Sequence, residues 1–312
     1  MAQERRNFLK GVAGVAGAWA SGAAGTPLPA RSESPAPRGD DKVTVRDKLW
    51  LWGHAPGSHD HDYGLPGTSR MTPAEAAFYL SIPNLIMVGY ADRSAPCKLV
   101  PAPPFDQLAM SFRPLQRVVW SIVGAGGIVR AEDIEAVRQL AKKFPNIVGV
   151  QLDDFFQTAL DGGLKGVFTP KELAYLREQL RVEERRLETW TTVYHHDLKH
   201  DLSEYLNQVD VLEYWTWWAK DLDGLEEGFA QAGRMTPRVR KVLGCYMWDY
   251  GDAKAMPIRL MEKQCTLGLQ WLRAGRIAGM IFLASCICDM GLETVEWTRN
   301  WIREVGDQPL PS

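Results

Sequence analysis

Eight strand-like segments alternate with eight helix-like segments between residue 48 and the end of this chain. The strand-like segments are short apolar runs at 48–54, 84–90, 117–124, 146–155, 187–195, 210–217, 241–249 and 277–286. Helical spacing of apolar residues follows most of them, and it is weak only near 104–111 and 202–209. Eight strand–helix units in about 260 residues match the size of a (β/α)8 barrel. The sequence therefore predicts an α/β fold, a single TIM barrel over residues 48–312.

An open doubly wound sheet is the alternative arrangement for alternating strands and helices. In that fold a Gly-rich phosphate loop often follows the first strand, and this sequence has none at that position. The barrel is therefore favoured.

The first 24 residues have the pattern of an export signal. Arg5 and Arg6 precede an apolar, Gly/Ala-rich run from 11 to 24, which is too short for the roughly 20 residues of a membrane span. The segment resembles the twin-arginine signals of bacteria, a likeness that implies a periplasmic or extracellular location. Residues 25–47 are rich in Pro, Ser, Gly and charged residues, which predicts a disordered leader.

The overall charge gives no indication of a nucleic-acid partner or an anionic membrane surface. The formal net charge is −2, with 24% charged and 46% hydrophobic residues. The five cysteines contain no C-x-x-C pair, so they do not indicate a zinc knuckle. We expect a small or neutral partner, no membrane span in the mature protein, and leave the oligomeric state open.

Polar and aromatic residues collect at the ends of the predicted strands, where barrels carry their catalytic groups. Twelve tryptophans are present, several of them at these ends. The residues that we predict to bind substrate are Trp52, His54, Tyr90, Gln151, Asp154, Tyr194, His195, Trp215, Trp217, Tyr246 and Trp248.

The fourth strand ends in two adjacent carboxylates, Asp153 and Asp154. Because side chains alternate along a strand, Gln151 and Asp153 should point into the barrel while Leu152 faces the helices. Asp153 is therefore the predicted catalytic residue, and Asp154 is predicted to support it or to bind a substrate hydroxyl. The structural alternative is a pair of aspartates that bond to loop backbone.

A second buried carboxylate is predicted on the sixth strand. Glu213 shares a face with Trp215 and Trp217, and burial among apolar residues would raise its pKa, as a general acid requires. A structural ion pair is the alternative role for Glu213. Asp249, at the end of the seventh strand, is a third candidate for catalysis.

Two carboxylates that flank a bond form the machinery of glycoside hydrolysis, and aromatic rings bind the C–H faces of sugars. The sequence thus predicts a glycoside hydrolase that acts on a small carbohydrate or oligosaccharide without a cofactor, using Asp153 and Glu213. The layout resembles exported bacterial barrel glycosidases, and it is similar to the α-galactosidase-like clan. That resemblance implies that Asp153 is the nucleophile and Glu213 the acid/base.

A divalent metal ion is the alternative cofactor. The H-x-H pair His59 and His61 follows the first strand and resembles the metal-dependent amidohydrolases, with His195 as a further ligand. A metal-dependent barrel hydrolase would use such a site, whereas a sugar isomerase or epimerase, also metal-dependent, would use Asp153, Glu213 and His195. A carbohydrate-binding barrel without catalysis is the non-enzymatic alternative.

Overall fold

The computed structural model describes residues 42–92, 95–130 and 132–311. Eight parallel strands form a closed barrel, because the second and third strands pair and complete the circle. The strands are β1 Leu49–Gly53, β2 Asn84–Met87, β3 Arg117–Gly124, β4 Ile147–Leu152, β5 Glu188–Tyr194, β6 Val211–Trp215, β7 Arg240–Tyr246 and β8 Gly279–Leu283. The predicted single (β/α)8 barrel is confirmed.

An α-helix follows each strand and covers the outside of the barrel. The helices are α1 Pro73–Leu80, α2 Asp106–Ser111, α3 Asp133–Lys143, α4 Pro170–Gln179, α5 Ser203–Leu206, α6 Leu225–Met235, α7 Ile258–Arg273 and α8 Glu293–Val305. The two segments with weak helical spacing form the shortest of these helices, α2 and α5. Within the described part of the chain, no helix is both long enough and apolar enough to cross a membrane.

Short hairpins and turns extend from the carboxyl ends of the strands. Tyr90–Asp92 pairs with Ala95–Val100 after β2, and Phe156–Thr158 pairs with Leu164–Gly166 after β4. Ile128–Val129 folds back against β3. These additions form the wall around the mouth of the barrel.

Helix starts follow the local sequence closely. Thr72 accepts a hydrogen bond from the backbone of Glu75, whose carboxylate accepts one from the backbone of Thr72, and Pro73 occupies the first helical position. The same capping box begins α4. Since these bonds satisfy N–H groups that a helix leaves free, the two strand–helix turns are well defined.

The last residues of the predicted leader belong to the folded domain. Thr44 forms a β-bridge with Pro309, and the backbone of Arg46 donates to Gly306 at 2.8 Å. Thr44 and Arg46, which we assigned to the leader that extends to residue 47, are therefore in contact with the carboxyl-terminal part of the barrel domain. The predicted signal peptide, residues 1–24, lies outside the described residues, so export stays a prediction.

Indole rings fill the lower barrel interior. Trp50 and Trp190 are 4.7 Å apart between ring centroids, and glycines on neighbouring strands make room for them. A Cβ at Gly279 would lie 3.1 Å from the Trp50 ring, and one at Gly244 would lie 2.1 Å from the ring of Trp215. Several tryptophans that the sequence places on barrel strands are therefore core residues, and the interior is packed below the mouth.

Ion pairs tie strands together at the amino-terminal end of the barrel. Asp210, just before β6, accepts from Arg177 at 2.6 Å and from Arg186 at 2.7 Å, and the backbone of Thr189 donates to it. Burial opposes ionisation of Asp210, but the bonds from Arg186 and Thr189 and the two positive charges hold its pKa below the usual value. This end of the barrel has a structural role, as the barrel fold leads one to expect.

Candidate active site

A cavity of about 460 Å³ opens at the carboxyl ends of the strands. Its lining contains many rings and three carboxylates, completed by small and aliphatic residues. The lining residues are Trp52, His54, His59, Asp62, Tyr63, Tyr90, Ala91, Ala125, Gly126, Ile128, Asp153, Asp154, Tyr194, Trp217, Tyr246, Tyr250 and Leu283.

Asp153 lies in the cavity directly after β4, with only 4% of its surface exposed. Its Oδ1 accepts a hydrogen bond from the backbone N–H of Asp154 at 2.9 Å. Burial raises the pKa of Asp153 well above its usual value, and the charges of Asp154 and Glu213 add to the effect. Asp153 is therefore protonated under conditions in which an ordinary aspartate is ionised.

Asp154 also lines the cavity, although strand alternation would direct it away from Asp153. Its backbone has a positive φ of 42°, which ends the alternation and brings the two adjacent side chains into one site. Both carboxylate oxygens accept hydrogen bonds, Oδ1 from the Tyr194 hydroxyl at 2.6 Å and Oδ2 from the backbone of Gly126 at 2.7 Å. Asp154 is thus held in one orientation from two sides.

Glu213 lies inside the barrel beneath this cavity and does not line it. It is fully buried, and its Oε2 accepts a hydrogen bond from Gln151 Nε2 at 2.8 Å. Burial raises the pKa of Glu213 to about 8, against the lowering effect of the bond from Gln151. The raised pKa of Glu213 agrees with the prediction from its sequence environment. Glu213 lies deeper in the barrel than the cavity, however, at the level of Gln151.

Asp249 is placed in a turn after β7 and does not line the cavity. Its Oδ1 accepts hydrogen bonds from the backbone of Ala219 at 3.2 Å and of Asp252 at 3.3 Å. Its backbone pairs with Lys254 in an antiparallel bridge. These contacts give Asp249 a structural role in the turn.

The rings and polar side chains predicted to bind substrate fall into two groups. Trp52, His54, Tyr90, Tyr194, Trp217 and Tyr246 line the cavity together with Asp154. The others, Gln151, His195, Trp215 and Trp248, do not line it.

Each of these four residues contacts another protein group, and for Gln151 that group is Glu213. Trp215 packs below the cavity, 4.9 Å from the Tyr246 ring. Trp248 donates to the backbone oxygen of Tyr63 at 2.8 Å and so supports the loop after β1. His195 Nδ1 is 2.7 Å from the hydroxyl of Tyr214, on the side of the strand that faces α6.

Sequence reasoning missed part of the cavity wall. Asp62, Tyr63 and Tyr250 line the cavity from the loops that follow β1 and β7. The hydroxyls of Tyr63 and Tyr90 are 3.0 Å apart, and that of Tyr250 is 3.1 Å from His59 Nδ1. The sequence feature that could have identified these residues was the high content of Asp, His and Tyr in two loops at the same end of the barrel.

The three histidines of the metal alternative are not brought together. His59 lines the cavity, His61 does not, and His195 contacts Tyr214 beside α6. Among the residues that the structure describes, no group of three or more His, Cys, Asp and Glu side chains is arranged to hold a metal ion. The groups with polar or charged chemistry that line the cavity include the aspartates, His54, His59 and the tyrosine hydroxyls.

Comparison with solved structures finds the same barrel fold in glycoside hydrolases of low sequence identity. A variant of a glycoside hydrolase family 5 enzyme from Prevotella bryantii B14, bound to a xyloglucan tetradecasaccharide, matches with a TM-score of 0.51 and 10% identity over 85% of this chain and 99% of its own. The spore cortex-lytic enzyme SleL of Bacillus megaterium QM B1551 matches with a TM-score of 0.52 and 11% identity over 84% of this chain and 74% of its own. No family model and no curated protein matches the chain. The predicted resemblance to barrel glycosidases is confirmed for the fold.

Proposed function

We propose that this protein is a glycoside hydrolase in which Asp153 is the general acid and Asp154 is the second catalytic carboxylate. One observation carries the proposal: two adjacent carboxyl groups with different hydrogen bonding open into the same ring-lined cavity. Glycoside hydrolysis requires such a pair, one group protonated and the other charged.

Asp153 meets the requirement for the acid. Its buried position and the neighbouring charge of Asp154 favour the protonated form. In the proposed reaction its proton moves to the glycosidic oxygen as the bond to the anomeric carbon breaks, and Asp153 becomes a carboxylate.

Asp154 meets the requirement for the partner. The Tyr194 hydroxyl and the Gly126 N–H hold its two oxygens while it faces the cavity. It stabilises positive charge at the anomeric carbon, and it accepts a proton from the water that attacks that carbon. Transfer of this proton back to Asp153 through solvent restores the starting state.

The rings support a carbohydrate as the substrate. Tyr63, Tyr90 and Trp217 offer flat faces and hydroxyl groups in a volume suited to a small carbohydrate. The proposed pair differs from the one predicted from sequence: Asp153 acts as the acid instead of the nucleophile, and Asp154 replaces Glu213, which does not line the cavity.

Hydrolysis of a panel of p-nitrophenyl glycosides and oligosaccharides tests the proposal. We expect Asp153→Asn and Asp154→Asn each to lower kcat/KM at least about a hundredfold while circular dichroism shows an unchanged fold. Glu213→Gln is the matched control, a carboxyl-to-amide change outside the cavity, and should retain activity within about tenfold. Loss of activity in Glu213→Gln with retention in Asp154→Asn would reinstate the pair Asp153 and Glu213.

Two further outcomes distinguish the alternative functions. Binding of sugars without turnover of any of them would indicate a carbohydrate-binding barrel. Loss of activity in EDTA, restored by a divalent metal, would indicate a metal-dependent reaction, whereas we expect full activity with the chelator.

We also propose export by the twin-arginine route, supported by Arg5 and Arg6 ahead of the apolar run. Replacement of both arginines by lysine should leave the protein in the cytoplasm of an expressing bacterium. Secretion of this double variant at the normal level would contradict the assignment.

A further inference from the structure

A second cavity, of about 410 Å³, lies at the amino-terminal end of the barrel, opposite the ring-lined cavity. Its position follows from the strands, because Asp210 immediately precedes β6 and Arg240 begins β7. The lining residues are Arg177, Asn207, Val209, Asp210, Arg238, Val239 and Arg240. Three arginines thus share this cavity with one carboxylate.

Ion pairs neutralise only part of this positive charge. Asp210 pairs with Arg177 at 2.6 Å and with Arg186 at 2.7 Å. Glu188 pairs with Arg240 at 2.7 Å. Asp210 therefore shares its single negative charge between two guanidinium groups.

Arg238 is the lining arginine that lacks a protein partner. Its side chain is exposed and forms no hydrogen bond or ion pair with the residues that the structure describes. The lining arginines and their ion pairs together contain four guanidinium groups and two carboxylates, which leaves a net charge of two positive units.

Two charged residues that flank the cavity do not cancel this excess. Lys241 adds a positive charge close to the lining, since its ammonium group donates to the carbonyl of Val239 at 2.8 Å. Glu178, whose charge acts on Arg186, is itself opposed by Arg181 at 4.0 Å. The positive excess therefore extends beyond the lining residues.

The lining arginines also retain hydrogen-bond donors for a ligand. A guanidinium group carries five N–H donors, and Arg177 uses one of them, in its bond to Asp210. Arg238 uses none within the described part of the chain. The oxygens of Asp210, in contrast, already accept from Arg177, Arg186 and Thr189. The cavity therefore offers free donors, and its carboxylate is occupied by protein donors.

We propose that this cavity binds a doubly charged tetrahedral oxyanion, phosphate or sulfate, through Arg177, Arg238 and Arg240. Guanidinium groups donate pairs of N–H bonds to such oxygens, and a dianion matches the positive excess. The same chemistry would come from a free ion or from a phosphate ester on a larger molecule. The site is separate from the proposed glycosidase cavity, because it lies at the other end of the barrel.

Isothermal titration of the folded protein at pH 7.5 and constant ionic strength tests the site. The ligands are sodium phosphate, sodium sulfate and glycerol 3-phosphate, with sodium acetate as a singly charged, planar comparison. We expect saturable binding of phosphate and sulfate with a Kd of about 1 mM or below, and binding of acetate at least about tenfold weaker.

Arg238→Gln and Arg238→Glu locate the binding, with Arg113→Gln as the matched control. Arg238 is exposed and has no partner to lose, so both variants should fold, which circular dichroism checks. Arg113 is also exposed at this end of the barrel, before β3, but it does not line the cavity. We expect the Kd for phosphate to rise about fivefold in Arg238→Gln and at least about twentyfold in Arg238→Glu, and less than about twofold in Arg113→Gln.

Each outcome decides for or against the site. Weaker binding in the Arg238 variants alone would support it; glycerol 3-phosphate binding more tightly than phosphate would then assign the site to an ester, and equal or weaker binding would assign it to the free ion. Lack of saturable phosphate and sulfate binding by the folded protein, acetate binding as tight as that of phosphate, an unchanged Kd in Arg238→Glu, or equal losses in Arg238→Glu and Arg113→Gln would overturn the proposal.

Discussion

The hydroxyl of Tyr194, the last residue of β5, donates to Oδ1 of Asp154, just beyond the end of β4, over 2.6 Å. The bond joins two neighbouring strands at the mouth of the barrel and fixes the carboxylate that we propose as the charged partner. Tyr194 is half-buried, and desolvation of its hydroxyl with the nearby negative charge of Asp154 raises the pKa of that hydroxyl, so Tyr194 remains a donor.

Tyr194→Phe should therefore reduce catalysis without disrupting the fold. Loss of a hydrogen bond to a charged group is expected to lower kcat about 10- to 100-fold. Tyr214→Phe is a matched control, since the Tyr214 hydroxyl bonds to His195 away from the cavity. Equal losses in the two variants, measured by steady-state kinetics, would contradict a specific role for Tyr194.

Asp154→Asn should lower the pKa of Asp153. Burial remains in this variant, but the neighbouring like charge, the second largest cause of the raised pKa, is removed. ¹³C NMR titration of labelled aspartate carboxyls measures the change, with Glu213→Gln as a comparison because Glu213 is a smaller cause of the raised pKa of Asp153. An unchanged or higher pKa in Asp154→Asn would show that the two carboxyls do not interact as described.

Glu213→Gln should remove a pH dependence of stability. With a folded pKa of about 8 against an ordinary value of 4.5, folded Glu213 keeps its proton while the unfolded chain loses it. The contribution is fully present below pH 4.5 and is lost as the pH rises to about 8. The wild type should lose about 1.4 kcal/mol per pH unit in this window relative to the variant.

Urea unfolding of both proteins at several pH values checks this expectation. Parallel stability curves between pH 5 and pH 8 would mean that Glu213 is ionised in the folded protein, contrary to its burial.

Asp249→Ala should destabilise the protein without changing the chemistry. Two backbone N–H groups, those of Ala219 and Asp252, lose their acceptor, which should cost about 2 kcal/mol. Activity per folded molecule should stay near the wild-type value. A folded but inactive Asp249→Ala protein would instead assign this carboxylate to catalysis, as one of our sequence-based alternatives did.

Two glycines should respond to alanine with opposite signs. Gly244→Ala places a Cβ 2.1 Å from the Trp215 ring in the packed barrel interior, so it should cost about 3 kcal/mol or more. At Gly233, in α6, the nearest atom would lie at 3.9 Å, and Gly233→Ala should stabilise by about 0.5 to 1 kcal/mol. Thermal unfolding of both variants checks the pair.

The sequence was sufficient to predict the barrel and to predict which residues of a strand face its interior. Period-two alternation places Gln151 and Asp153 on the inner face of β4, and Gln151 indeed bonds across the barrel to Glu213. Alternation does not give height along the barrel axis, which depends on the stagger between strands. For this reason Glu213 was correctly expected to be buried with a raised pKa but was assigned to the cavity.

The loops position the remaining residues of the site, and the conformation of the loop backbone could not be predicted from periodicity. Asp154 and Tyr63 reach the cavity with positive φ values of 42° and 55°, which lie outside the regular patterns that a strand or helix imposes. Tyr250 arrives from a turn that is fixed by Asp249 and Lys254. Such positions depend on contacts between residues that are distant in the chain.

The bridge between Thr44 and Pro309 holds together the first and last segments of the described barrel domain, before β1 and at the end of the barrel opposite the cavity. A short linker could therefore join them and give a circular permutant with new termini in an exposed loop. Attachment of the protein to a solid support through either terminal segment would also orient every molecule with the mouth of the barrel toward solvent. The same geometry thus makes the domain suitable for immobilised assays of the proposed sugar binding.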